Sequence, residues 1–296
     1  MCGIRFYSVS FMFCLNSALL KGKMFLMKIR FFLFLLLSFM SFGVYAQDLA
    51  GAMTQGGLVI GKAPIGSKVW LNDTALKVGK DGRFVFGFHR DAKPSAVLKM
   101  QTLDGVVSFK TLKISQRKYD VEYVDGLPPK TVTPPASWLE RRKVETGRVK
   151  QGRQQLTDDT YWQEDFILPA MGRISGVYGS QRVLNGKPRS PHYGLDVAAD
   201  TGVDVVAPAG GIVRLAAPDF LLEGGIIIID HGFGVTSTLF HLNSVDVKEN
   251  QMVQKGQKIG TVGMTGRATG PHVDWRVNWQ QVRLDPGLLV ADLIKE

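Results

Sequence analysis

A mainly β protein with one short linker helix is the fold class this sequence predicts, and three observations carry it. Between residues 49 and 123, runs such as GGLVIGKA, SKVWLND, RFVFGF, AVLKMQT and VVSFKTLKI are separated by Gly, Asp and Pro turn signals. The stretch TGPHVDWRVNW at 269–279 alternates polar and apolar residues without a break, the period of a strand with one buried face. The run IIII at 226–229 is apolar on both parities, as in a central strand covered on both sides.

In chain order, residues 1–46 read as a targeting segment. MKIRFFLFLLLSFMSFGVYAQ has Lys28 and Arg30, an apolar run from Phe31, and small residues before an expected cut after Ala46. The residues ahead of Met27 read as an upstream extension, with Met24 or Met27 the better start. The apolar run is shorter than the roughly 20 residues of a spanning helix, so no stable membrane span is expected after cleavage. Both cysteines, Cys2 and Cys14, precede the cut, which excludes a disulfide framework and a thiolate metal site from the mature chain. No cysteine follows the apolar run, which argues against a lipid anchor. The full chain has net charge +10, but the first 46 residues hold five of its 36 basic residues and no acid, leaving +5. That mild excess fits an anionic cell envelope, and an exported chain has no call on nucleic acid.

Residues 47–125 then read as a small antiparallel β-sandwich. GLPPKTVTPPAS, residues 126–137, is a stiff Pro-rich linker. Ser137 and Glu140 form a capping-box pattern opening a basic helix within 126–160. Its Arg141, Arg142, Lys143, Arg148, Lys150 and Arg153 read chiefly as a solvated connecting face, with contact to an anionic polymer the sharper alternative. Gly147 and Gly152 weaken the helix. From residue 161 to the end the pattern is again strands joined by Gly-rich turns. His89, alone in the first β region, receives no role.

Chemistry concentrates between residues 192 and 272. PHYGLDVAA gives His192 and Asp196, LFHL gives His241, PHVDW gives His272 and Asp274, and DHGFG gives His231 in a turn. A catalytic divalent-metal site needs about three His, Asp or Glu ligands with one position open, plus a base and a donor facing the developing oxyanion.

The segments SPHYGLDVAADTGVDVVAPAGGIV, IIIIDHGFGVTSTLFHL and VQKGQKIGTVGMTGRATGPHVDWRV together resemble the lysostaphin/LytM-type zinc metallopeptidases. These are cell-wall endopeptidases with the β-rich duplicated hybrid motif, a barrel-sandwich. The resemblance covers about 172–286 and implies a metallopeptidase domain at 161–296. Residue by residue, it makes His192 and Asp196 metal ligands and makes His241 and His272 the pair that activates water and stabilises the oxyanion. The family's third ligand is a histidine, and Asp274 stands in its place. Asp is shorter than His and adds a charge, so the metal would be a weaker Lewis acid; Zn²⁺ is expected, with Mn²⁺ or Fe²⁺ as competitors. His231 reads as structural. Leu239, at a position often aromatic in the family, would alter substrate contact. Arg182 and Arg276 are candidates to bind a peptide carboxylate, or equally salt-bridge partners. VKENQMVQKGQKIGTVG resembles a biotinyl or lipoyl hairpin but has no carrier lysine at a tight turn, so only the architecture is shared. The expected function is an exported, periplasmic zinc endopeptidase cutting peptidoglycan cross-links at stem peptides. The alternative is a catalytically impaired relative that binds the wall or activates another hydrolase, with the N-terminal β region as a partner surface.

Overall fold

The computed structural model describes residues 48–124, 138–184 and 186–294. The targeting segment, the Pro-rich stretch and Ser137 lie outside the described residues. No described helix is long and apolar enough to cross a membrane.

The first β region contains β1 (Leu49–Gly51), β2 (Leu58–Lys62), β3 (Lys68–Leu71), β4 (Thr74–Leu76), β5 (Arg83–Gly87), β6 (Ser95–Gln101) and β7 (Val107–Lys113). They form two antiparallel sheets, ordered β1-β2-β5 and β4-β3-β6-β7. Phe84, Phe86, Leu98 and Met100 are buried between them. At Gly61 a Cβ would collide with the Phe84 ring, so the missing side chain lets β2 and β5 close.

β8 (Val121–Val124) leaves this region and pairs in parallel with β10 (Gln181–Leu184), which also pairs with β11 (Lys187–Pro188). Helix α1 (Leu139–Arg153) follows. The remaining strands are β9 (Arg173–Gly176), β12 (Leu195–Ala198), β13 (Asp204–Val206), β14 (Gly211–Phe220), β15 (Gly224–Gly232), β16 (Val235–Leu242), β17 (Ser244–Val245), β18 (Met252–Val253), β19 (Lys258–Thr261), β20 (His272–Trp279) and β21 (Val282–Leu284). An eight-stranded sheet runs β18-β14-β15-β16-β20-β12-β9, with β21 also on β20; β13-β19-β17 form a smaller sheet.

Every residue of β15 is buried, and its two parities serve different cores. Ile227 and Ile229 join the main core with Trp275, Leu239 and Val277. Ile226 and Ile228 join a second cluster with Leu215, Phe220 and Phe240, against which Val149 of α1 packs. Arg141, Lys143, Arg148 and Lys150 are exposed, as the solvated-face reading expects, and the far end of the helix, at Gly152 and Arg153, turns inward. Gly152 brings α1 against the Ile228 methyl, where a Cβ would stand at 3.1 Å. Arg142 pairs with Glu223 at 2.5 Å and Arg148 with Glu249 at 2.9 Å. Buried Glu145 accepts from Arg141 Nε at 2.7 Å and from the Leu221 amide at 3.0 Å. Trp138 is the N-cap and its side chain makes no capping hydrogen bond, while Ser137 of the expected capping box lies outside the described residues. Docking through Val149 and Gly152 holds the helix against the sheet.

The two β regions share one continuous core, from Leu58 through Leu284. Leu284 fits against Gly87, where a Cβ would strike it. Asp285 donates its amide to the Gly56 carbonyl at 2.8 Å and pairs with Arg117 at 2.6 Å.

Candidate metal centre

The register of one strand pair builds the centre. In β12–β20, Asp196 stands directly opposite Asp274, and Ala198 opposite His272. Residues opposite each other in an antiparallel pair point to the same face. The alternation read in TGPHVDWRVNW thus sets Asp274 beside Asp196 while Val273, Trp275 and Val277 fill the core behind. His192 sits on the approach to β12, fixed by its own backbone: its amide donates to the Ser180 carbonyl, and its carbonyl accepts from the Gly179 amide, both at 2.8 Å.

One ligand atom from each of His192, Asp196 and Asp274 lies within 4.8 Å of the others, and among the described residues they form the one such group. His192 Nε2 and Asp196 Oδ1 are 3.2 Å apart, yet both are buried with no hydrogen-bond partner. Buried ligand atoms left without hydrogen bonds beside the Asp274 carboxylate are what a bound cation would satisfy. Glycine makes the room: a Cβ on Gly176 would overlap Asp196 Oδ2, and one on Gly194 would overlap Asp274 Oδ1. The donor set fits a divalent metal. Burial pulls the His192 pKa down, but the Asp196 and Asp274 carboxylates outweigh it and hold the ring above its ordinary value.

Asp274 is nearly fully buried and is held by Arg276. The Arg276 Nε donates to both carboxylate oxygens at 3.0 Å and Nη2 to Oδ2 at 2.6 Å. Burial would raise the Asp274 pKa; the Arg276 charge overrides it and keeps the carboxyl ionised. Arg276 also lies over the Phe240 ring, 4.7 Å from its centre. The salt-bridge alternative for Arg276 is the one seen here. Arg182 lies on β10 in register with Glu122 of β8.

His241 and His272 stand beside the donors with ring centres 4.8 Å apart. His241 ends β16 in the left-handed region, at φ 65°. A non-glycine residue held there marks local strain that the surroundings must enforce. Its Nδ1–H donates to the Thr265 carbonyl at 2.8 Å, since a carbonyl can only accept. Thr265 is itself clamped, donating from Oγ1 to the Leu242 carbonyl at 2.8 Å. Burial lowers the His241 pKa, leaving Nε2 as a free lone pair. His272 repeats the pattern through Nδ1–H to the Gly270 carbonyl at 2.8 Å, and its Nε2 is 4.0 Å from Asp196 Oδ1.

His231 is unlike these. Its Nδ1–H donates to the Gly210 carbonyl at 2.6 Å, and Nε2 accepts from the Ser237 hydroxyl at 2.8 Å. Complete burial pushes its pKa down to about 4. Leu239 departs from expectation: it is fully buried opposite Trp275. Sequence reasoning missed Gly176 and Gly194, although the Gly inside HYGLD was a visible signal.

Residues 190–286 match peptidase family M23. The C-terminal region is an M23 peptidase domain. ShyA of Vibrio cholerae, a peptidoglycan DD-endopeptidase, is 34% identical over 106 residues, which is 36% of this chain and 24% of that protein. The DD-carboxypeptidase/endopeptidase Mpg of Neisseria meningitidis serogroup B is 38% identical over 96 residues, 31% of this chain and 21% of Mpg. The cell division protein DipM of Caulobacter vibrioides is 30% identical over 114 residues, 38% of this chain and 18% of DipM. The chain thus spans a quarter or less of these relatives' length. A crystal structure of a peptidase M23 from Pseudomonas aeruginosa aligns with a TM-score of 0.61 at 25% identity, covering 80% of this chain and 94% of that one. That likeness extends well beyond the M23 domain into the first β region.

Proposed function

We propose that this chain is an exported metallo-endopeptidase that hydrolyses peptide cross-links of peptidoglycan. One observation carries the reading: the His192, Asp196 and Asp274 donors converge within 4.8 Å on a face where two histidines present free Nε2 atoms. His192, Asp196 and Asp274 would hold the ion, with Zn²⁺ first and Mn²⁺ or Fe²⁺ as competitors. When bound, such an ion supplies Lewis acidity, lowering the pKa of water and polarising a peptide carbonyl.

The chain's own residues do the rest. His241 Nε2 takes the proton of the attacking water, and the anchored Nδ1–H keeps the ring aimed as charge develops. The same ring returns that proton to the leaving amine. His272, whose Nε2 faces the same space, stabilises the developing oxyanion. The first β region serves as an accessory domain, residues 1–46 are removed on export, and the working compartment is the periplasm.

A specific observation favours the second reading, a catalytically impaired regulator of the wall or of another hydrolase. Arg276 already satisfies Asp274, and a guanidinium competes with a cation for the same carboxylate. Elemental analysis of the purified protein, with an Asp274→Ala variant and a peptidoglycan digest, decides. About one metal per chain that is lost in the variant, with peptide ends released by wild type only, supports the enzyme. A chain that takes up no zinc when resupplied and releases no ends is the regulator.

A further inference from the structure

The sheet face that carries the metal donors also carries positive charge that nothing answers. Arg153, the last residue of α1, is 7% exposed. Its Nε donates to Thr238 Oγ1 at 3.2 Å, and among the described residues it makes no ion pair. The acidic charges that act on it, Asp274 and Glu223, are each held by another arginine, Arg276 and Arg142. Burial, then the charges of Arg283 and Arg276, press its pKa well below the ordinary guanidinium value.

Arg283 supplies a second, independent observation. It lies on β21 opposite Asn278, and its Nη1 is buried with no partner. Its guanidinium is 5.7 Å from the centre of the Tyr193 ring, next to His192 in the chain. Thr236 Oγ1 and Asn278 Oδ1, on residues paired across β16 and β20, are likewise buried without partners.

A buried cation without a counter-ion costs several kcal/mol, so natural folds pair it or place it where an anion arrives. Four guanidinium groups, Arg142, Arg153, Arg276 and Arg283, meet three carboxylates, Asp196, Asp274 and Glu223, and a divalent metal would widen the imbalance. We infer that Arg153 and Arg283, with Arg276 between them, form a subsite for a free carboxylate of the peptide substrate. Arg276 reaches back to Asp274 at 2.6 Å, so a carboxylate bound beside these arginines lies next to the metal donors. This inference rests on the peptidase reading, and it assigns to Arg153 a role its place on a basic helix conceals.

The test is a calorimetric titration of the full protein that needs no turnover. The probes are N-acetyl-D-alanine, its C-terminal amide, and inorganic phosphate, each against wild type, Arg153→Met and Arg283→Met. The acid should bind at least about tenfold tighter than the amide, and each variant should lose about that factor for the acid alone. Arg153→Met should also raise the Tm of the unliganded protein, because an unanswered buried charge is removed. A scaffolding arginine would move Tm the other way. Equal binding of acid and amide, or a lowered Tm with acid affinity unchanged, overturns the subsite. Phosphate binding without any acid–amide difference overturns it as well, leaving a general anion site. Lost wall digestion with the acid–amide difference intact sinks the peptidase reading alone; digestion intact with no difference sinks the subsite alone.

Discussion

Two buried aspartates on the same sheet, Asp230 and Asp274, each accept an arginine fork, and they are not equivalent. Asp230 Oδ2 accepts from Arg214 Nη2 at 3.0 Å and from Thr157 Oγ1 at 3.2 Å, while Oδ1 accepts from the Gly232 amide at 2.9 Å. Its neighbour His231 has both ring nitrogens engaged. Around Asp274 the bonding stops short: Arg276 alone serves it, and His192 Nε2 and Asp196 Oδ1 beside it have no partner. The same residue types make a finished structural network in one place and an unfinished one in the other. Unfinished hydrogen bonding, more than residue type, marks the site.

The largest expected difference between the two networks is in turnover. Asp196→Ala should empty the metal from the protein and lower turnover on the order of 10⁴-fold, with the unfolding midpoint little changed. Metal retained in that variant breaks the comparison. His241→Ala should cost about 10³-fold in turnover and keep its metal, a split read by assay and elemental analysis on one sample. In the finished network the loss falls on stability. Asp230→Ala leaves the part-buried Arg214 unpaired and should cost about 3 kcal/mol in urea unfolding. The smallest effect is in pH. The folded pKa of His231, about 4, lies below its unfolded value of 6.5, so the unfolded chain takes up the proton first. The stability contribution is whole above pH 6.5 and is lost as pH falls toward 4, by ~3 kcal/mol. His231→Asn should flatten that slope in urea midpoints across the interval; an unchanged slope assigns it to other groups.

Much of this was legible in the chain. The unbroken alternation of TGPHVDWRVNW fixes which residues of β20 share a face, because strand period depends on nothing outside the strand. The doubly apolar IIII announces its own burial. What stayed hidden needed a partner. That Asp196 faces Asp274 follows from register between segments far apart in sequence, which neither segment encodes alone. Arg153 looked solvated because its helix is basic throughout; only the Gly152–Ile228 approach turns that end into the protein. The burial of Leu239 has a like cause, tertiary packing that no local pattern encodes.

The parallel pairing of β8 with β10 has a mechanical meaning. β8 is the last strand of the first β region, and the turn after β10 and β11 leads straight to His192. A pull along β8 loads this short ladder in shear, so its rungs share the load and do not unzip in succession. The segment that leads to His192 is thereby tied by backbone hydrogen bonds to the end of the first β region. A chain anchored at that end would carry a strain gauge wired to the His192, Asp196 and Asp274 cluster.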